Sequence, residues 1–136
     1  MRPFNGSGHF ENPFEWQMVD NVATMLNTTV EELNLGRDQD WIKEVIREAA
    51  VMLPESIIEG QQSDYLAEYI LGLSAARNSL VVASYCFRFL KGQNLIDPKL
   101  ADDVDAKLEE LEVVLASVTD QMRENLASGQ GQHSNN

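Results

Sequence analysis

The chain is short of the residues with which enzymes and metalloproteins usually do chemistry. Its two histidines, His9 and His133, lie near its ends, and its one cysteine, Cys86, sits in an apolar run. A carboxylate-bridged metal pair in a helical bundle takes Glu-x-x-His from two helices, so no such centre is expected. A lone cysteine cannot close an internal bridge, and between Tyr85 and Phe87 it reads as a reduced, buried thiol. Glycine-rich phosphate loops, Cys-x-x-Cys pairs and Ser or Cys nucleophile motifs are missing as well. No enzymatic activity, cofactor or metal is therefore expected. Cations are scarce: 10 Lys and Arg face 22 Asp and Glu, for a net charge of −12. Each neutralised phosphate needs a cation nearby, which argues against nucleic-acid binding as the main task. The first residues hold no apolar h-region, and no stretch reaches the ~18 consecutive apolar residues of a membrane span, so a cytoplasmic protein is expected.

What remains is helix. At 136 residues and 15.3 kDa the chain suits one domain with one core. Residues 1–11, rich in Gly, Ser and Asn, read as a flexible arm, 12–127 as the folded domain and 128–136 as a disordered tail. Asn12-Pro13-Phe14-Glu15 is a helix start, followed by Met18, Val19, Val22, Met25 and Leu26 at helical spacing. Thr28-Thr29-Val30-Glu31-Glu32 offers a second capping box, which predicts a break near Asn27 and a short turn to Asn34. Asp38 or Asp40 caps a second helix with Trp41, Ile42, Val45, Ile46, Ala49, Leu53 and Ile57 on one side, ended by Gly60. Pro54 falls inside it, at a cost of roughly 3 kcal/mol in an isolated helix, so packing must compensate. Ser63-Asp64 opens a third helix that Gly92 stops, and Asp97-Pro98 opens a fourth. The fourth carries a heptad at Leu100, Val104, Leu108, Leu111, Leu115, Val118, Met122 and Leu126. Short connections and the absence of strand alternation predict an all-α, antiparallel up-down four-helix bundle.

The third helix has more apolar surface than a single bundle uses. Leu66, Ile70, Leu73, Leu80 and Phe87 suit the core, and Gly72, Ala76, Ser79, Ala83 and Cys86 form a second line of small residues that lets another backbone approach. Val81, Val82, Tyr85 and Phe89 point elsewhere and predict an oligomer interface. The competing expectation is that the segment from Thr28 to Leu35 folds over them.

Charged residues divide into faces. Residues 97–127 carry nine acids against three cations, half of the net charge, and read as a solvated face or a docking face for a basic protein. Glu44, Glu48, Glu55 and Glu59 share the second helix without a second acid constellation. Lys43, Arg47, Arg77, Arg88 and Lys91 are the candidates for a nucleic-acid patch, although pairing with the surplus of acids is the cheaper role. Arg77, on the apolar helix, needs a carboxylate if buried, with Glu59 or Glu48 as the expected partner.

The pattern Arg47, Ala49, Ala50, Pro54, Ile57, Glu59, Gly60, with Ser74 in the next helix, resembles the four-helix-bundle proteins encoded in intervening sequences of bacterial 23S ribosomal RNA genes. More distantly the chain is similar to the accessory variability determinant proteins of diversity-generating retroelements. The resemblance implies a homopentameric ring, structural roles for Arg47, Pro54, Glu59 and Gly60, and a partner that is a protein or a ribonucleoprotein such as a reverse transcriptase. Two departures bear on it. Ala75, Ala76, Arg77 and Asn78 stand where the family places an acid, and the retroelement relatives are basic whereas this chain is acidic. The preferred expectation is a non-enzymatic adaptor or scaffold; the alternative is a nucleic-acid accessory factor.

Overall fold

The computed structural model describes residues 13–129; the arm expected at 1–11, the cap at Asn12, both histidines and most of the tail lie outside them. Four helices follow in order: α1 (Pro13–Glu32), α2 (Trp41–Gln61), α3 (Leu66–Gly92) and α4 (Pro98–Ala127), with a 3-10 turn (Arg37–Gln39) leading into α2. No strand occurs among the described residues. Each helix packs on two others: α1 and α3 both lie against α2 and α4, and α1 does not touch α3. The core runs down the middle, where Val19, Ile42, Leu53, Tyr69, Leu73, Phe87 and Leu111 are fully buried.

The helix starts follow their local chemistry. Pro13 and Pro98 occupy first-turn positions, where a missing N–H costs nothing. The α4 heptad is buried from Val104 to Met122, with Leu100 and Leu126 half-buried at its ends. Pro54 lies within a continuous α2, as its neighbours require. Leu53 and Ile57 on either side are wholly buried, and at roughly 1.5–3 kcal/mol each they offset the proline's cost.

Several boundaries differ from expectation; α3, for one, begins at Leu66 rather than at Ser63-Asp64. α1 does not break at Asn27 but continues to Glu32. The continuation buries Val30 completely, worth roughly 1.5–3 kcal/mol, against about 1 kcal/mol for a second cap. Gly60 does not stop α2, which runs on to Gln61; it is buried at the α2–α3 contact, where a Cβ would stand 3.1 Å from the Tyr69 Cα. Gly92 is the last residue of α3 rather than the residue that reverses the chain. Asn94 takes that part at φ 59°, and the Leu95 N–H donates to the Leu90 carbonyl at 2.9 Å, closing the helix end. At the other end of the fold, Ser128 and Gly129 form the turn that ends α4, the Ser128 N–H donating to the Glu124 carbonyl.

α1 meets α4 at the thinnest of the four helix junctions. A cleft of about 320 Å³ opens beside it, lined by Met18, Asn21, Val22, Met25, Lys107 and Glu110.

Candidate interaction surface

The small residues of α3 are explained within the chain. A Cβ on Gly72 would stand 2.5 Å from the Ser56 carbonyl oxygen and 3.1 Å from the Gly60 Cα, so α2 is the backbone that approaches. Ala76, Ser79, Ala83 and Cys86 continue that line and are all buried. The Ser79 hydroxyl donates to the Ala75 carbonyl at 3.3 Å, which satisfies it without a partner helix. Burial raises the Cys86 thiol pKa above its ordinary value, keeping it protonated and a poor nucleophile.

One residue earlier, α3 carries a second line with the same heptad spacing, and this one faces outward. Leu71, Ala75, Asn78, Val82, Tyr85 and Phe89 step by four, three, four, three and four. Leu71 and Tyr85 are 63% and 64% exposed, and the adjacent Val81 is 62% exposed. Val82 and Phe89 are half-buried, the Phe89 ring lying 6.4 Å from the exposed Trp41 of α2 at a tilt of 48°. Of the expected interface residues, Val81 and Tyr85 are thus open, and Val82 and Phe89 are partly covered by the chain itself. Thr28–Glu32 belong to α1, and the exposure of Val81 and Tyr85 shows that the segment from Thr28 to Leu35 does not fold over that part of the face. Leu71, Ala75 and Asn78 escaped the sequence reading. Their signal is the heptad line on which Val82, Tyr85 and Phe89 already lie, extended toward the start of α3.

On its other flank α3 meets α4 through a ladder of polar pairs. Lys91 meets Asp102 at 2.7 Å, Arg88 meets Asp105 at 3.6 Å, and the Ser84 hydroxyl donates to Asp105 at 2.6 Å. Arg77 donates to Glu112 through two nitrogens, Nη2 at 2.8 Å and Nε at 3.1 Å. That hydrogen bond raises the guanidinium pKa above its ordinary value; burial opposes the rise, and the charges of Glu112 and Asp120 add to it. The expected partners of Arg77 on α2, Glu48 and Glu59, are not its partners: Arg77 lies on the flank of α3 turned to α4. Glu59 is exposed and makes no ion pair among the described residues, whereas Arg47 pairs with Glu44 at 2.7 Å and with Glu31 of α1 at 3.4 Å.

The candidate cations are therefore not gathered into one patch. Arg47 turns to α1, while Arg77, Arg88 and Lys91 turn to α4, and each has a carboxylate within 4 Å. Lys43 is half-buried on α2. No group of three or more His, Cys, Asp or Glu among the described residues could hold a metal ion.

By length and composition α3 is apolar enough to cross a membrane, although Ser74, Arg77 and Asn78 interrupt its apolar sequence. Part of that apolar surface is core, 44% of the most apolar stretch being buried within the fold. The remainder is the outward line just described.

Fold and surface together define an all-α, four-helix protein with an apolar outer helix face. No protein-family model matches the chain, and no curated protein sequence matches it.

Proposed function

We propose that this chain is a non-enzymatic, cytoplasmic scaffold, an antiparallel up-down bundle that assembles with copies of itself through the outer face of α3 and serves as an adaptor for a protein partner. The observation that carries the reading is the outward heptad line from Leu71 to Phe89, flanked by Val81 and Trp41. Contiguous apolar surface of this kind is seldom left open in a soluble monomer. Alternating helix direction is supported by contacts at both ends, Trp41 with Phe89 and Gly60 with Tyr69. Glu68, Arg77, Arg88 and Lys91 punctuate α3, which favours a protein neighbour over a bilayer. A ring of five follows from the resemblance to the ribosomal intervening-sequence proteins. The accessory-factor alternative is disfavoured because four of the five candidate cations already face carboxylates.

Light scattering tests this directly. About five chains per particle are expected, and a stable monomer at micromolar concentration would overturn the reading. Val82→Glu combined with Tyr85→Glu should dissociate the particle, since a buried unpaired charge costs several kcal/mol, whereas Lys107→Glu should not. Sub-micromolar binding of RNA or DNA at ~150 mM salt, lost when Lys43, Arg47, Arg77, Arg88 and Lys91 become Ala, would favour the accessory role instead.

A further inference from the structure

The α3–α4 ladder lacks one rung. Along α4, Asp102, Asp105, Glu109 and Glu112 step by three, four and three, and so share one flank. Three of the four have polar partners on α3: Lys91, then Arg88 with Ser84, then Arg77. Glu109 has no cation within ion-pairing distance among the described residues, and the α3 residues lining the groove with it include Leu80 and Val81. At that level the two helices part into a groove of about 410 Å³. Leu80 and Leu108 form its buried floor, Val81 and Tyr85 its open apolar wall, Asp105, Glu109 and Glu112 its acidic edge, and Ser84 and Arg88, both on Asp105, close the lining.

We propose that this groove seats a basic amphipathic helix of a partner protein, with a Lys or Arg completing the rung at Glu109. The inference rests on the adaptor reading and names the chemistry of the partner. Charge complementarity selects the occupant. The edge residues Asp105, Glu109 and Glu112 lie at i, i+4 and i+7, a spacing that cations on one face of an α-helix alongside α4 can match. Apolar residues on the adjoining face of that helix would enter between Val81 and Leu108 above Leu80, the helix-in-groove mode of recognition, and leave Tyr85 to the self-contact along the outward line. Arg77 and Arg88 neutralise Glu112 and Asp105 locally, which leaves Glu109 as the residue that reads the incoming charge.

The test uses the full chain and a fluorescent 18-residue helical peptide with Lys at i, i+4 and i+7 and Leu on the adjoining face. Anisotropy should report saturable binding that weakens with salt, and amide shifts should move at 80–88 and 105–112. Glu109→Lys should weaken binding about tenfold or more, while Asp20→Lys, the same charge change on exposed α1, should weaken it no more than about twofold. Light scattering on Glu109→Lys should give the wild-type mass, which keeps a failure of this proposal distinct from a failure of self-assembly. Equal losses from both substitutions would reduce the effect to overall charge and overturn the proposal, as would no binding to the wild-type protein. Dissociation of the particle by Glu109→Lys would make a second copy the occupant, and overturn it too.

Discussion

Replacing Gly72 with alanine should be among the most damaging single-methyl changes in this protein, and the helix crossing shows why. The added Cβ would stand 2.5 Å from the Ser56 carbonyl oxygen and 3.1 and 3.3 Å from the Cα and N of Gly60, where ordinary contact begins at 3.4 Å. All three obstacles are backbone, so no rotamer change can relieve them; α2 and α3 must move apart by most of an ångström. Overpacking a well-filled interior costs typically about 1–3 kcal/mol, and an immovable obstacle places this case at the upper end. Alanine's better helix propensity returns about 0.8–1 kcal/mol, leaving a net loss of about 2 kcal/mol. For a chain of this size that lowers Tm by roughly 6–10 °C. Gly60→Ala, whose nearest contact is 3.1 Å, should lose less, and Gly92→Ala, with nothing within 4 Å, should be neutral or slightly stabilising. Thermal and urea denaturation of the three variants measure the order. A Gly72→Ala protein as stable as the Gly92→Ala protein would refute the close-packed crossing.

Two further predictions concern groups inside the bundle. A double-mutant cycle on Arg77→Ala and Glu112→Ala should give a coupling of about 1–2 kcal/mol, above the usual exposed pair because the side chains are 28% and 34% exposed and doubly bonded; a coupling near zero would show the pair to be incidental. Cys86 should resist a thiol reagent at neutral pH until the protein unfolds, and because its folded pKa is raised, the folded state keeps a proton that the unfolded state releases. Stability should then fall as pH rises from the ordinary thiol value toward the raised one, and Cys86→Ala should flatten that alkaline slope; an unchanged slope would assign it to other groups.

The sequence was most readable where one pattern had one interpretation. The proline starts at Pro13 and Pro98 are local to one helix, and the α4 heptad and the buried positions flanking Pro54 each carry a single apolar line, which spacing records. Reading failed where a residue had two possible neighbours. The line from Gly72 to Cys86 and the line from Leu71 to Phe89 have matching periods, and spacing alone does not say which one α2 covers. Arg77 met the same difficulty, since its rotational position on α3, not its need for a carboxylate, decided between α2 and α4. Thr28-Thr29 and Gly60 carried true local signals that burial of Val30 and a close helix approach outweighed. For the candidate site, Val81 and Tyr85 were expected at an oligomer interface, and the structure leaves both exposed; the solitary position of Glu109 depends on how α3 and α4 lie side by side, which spacing does not record.

The uneven junctions around the bundle set an order in which it opens. α1 leans on α4 across the cleft at Met18 and Met25 and is otherwise held by α2, whereas α2, α3 and α4 are joined by broader contacts. Local opening draws on the regions with least buried contact, so α1 should exchange its amide protons ahead of the other three helices. α3 lies diagonally across the bundle from α1, so the outward heptad line is the part of the surface least disturbed by such breathing. The bundle should then loosen first on its α1 side while α3 stays packed on α2.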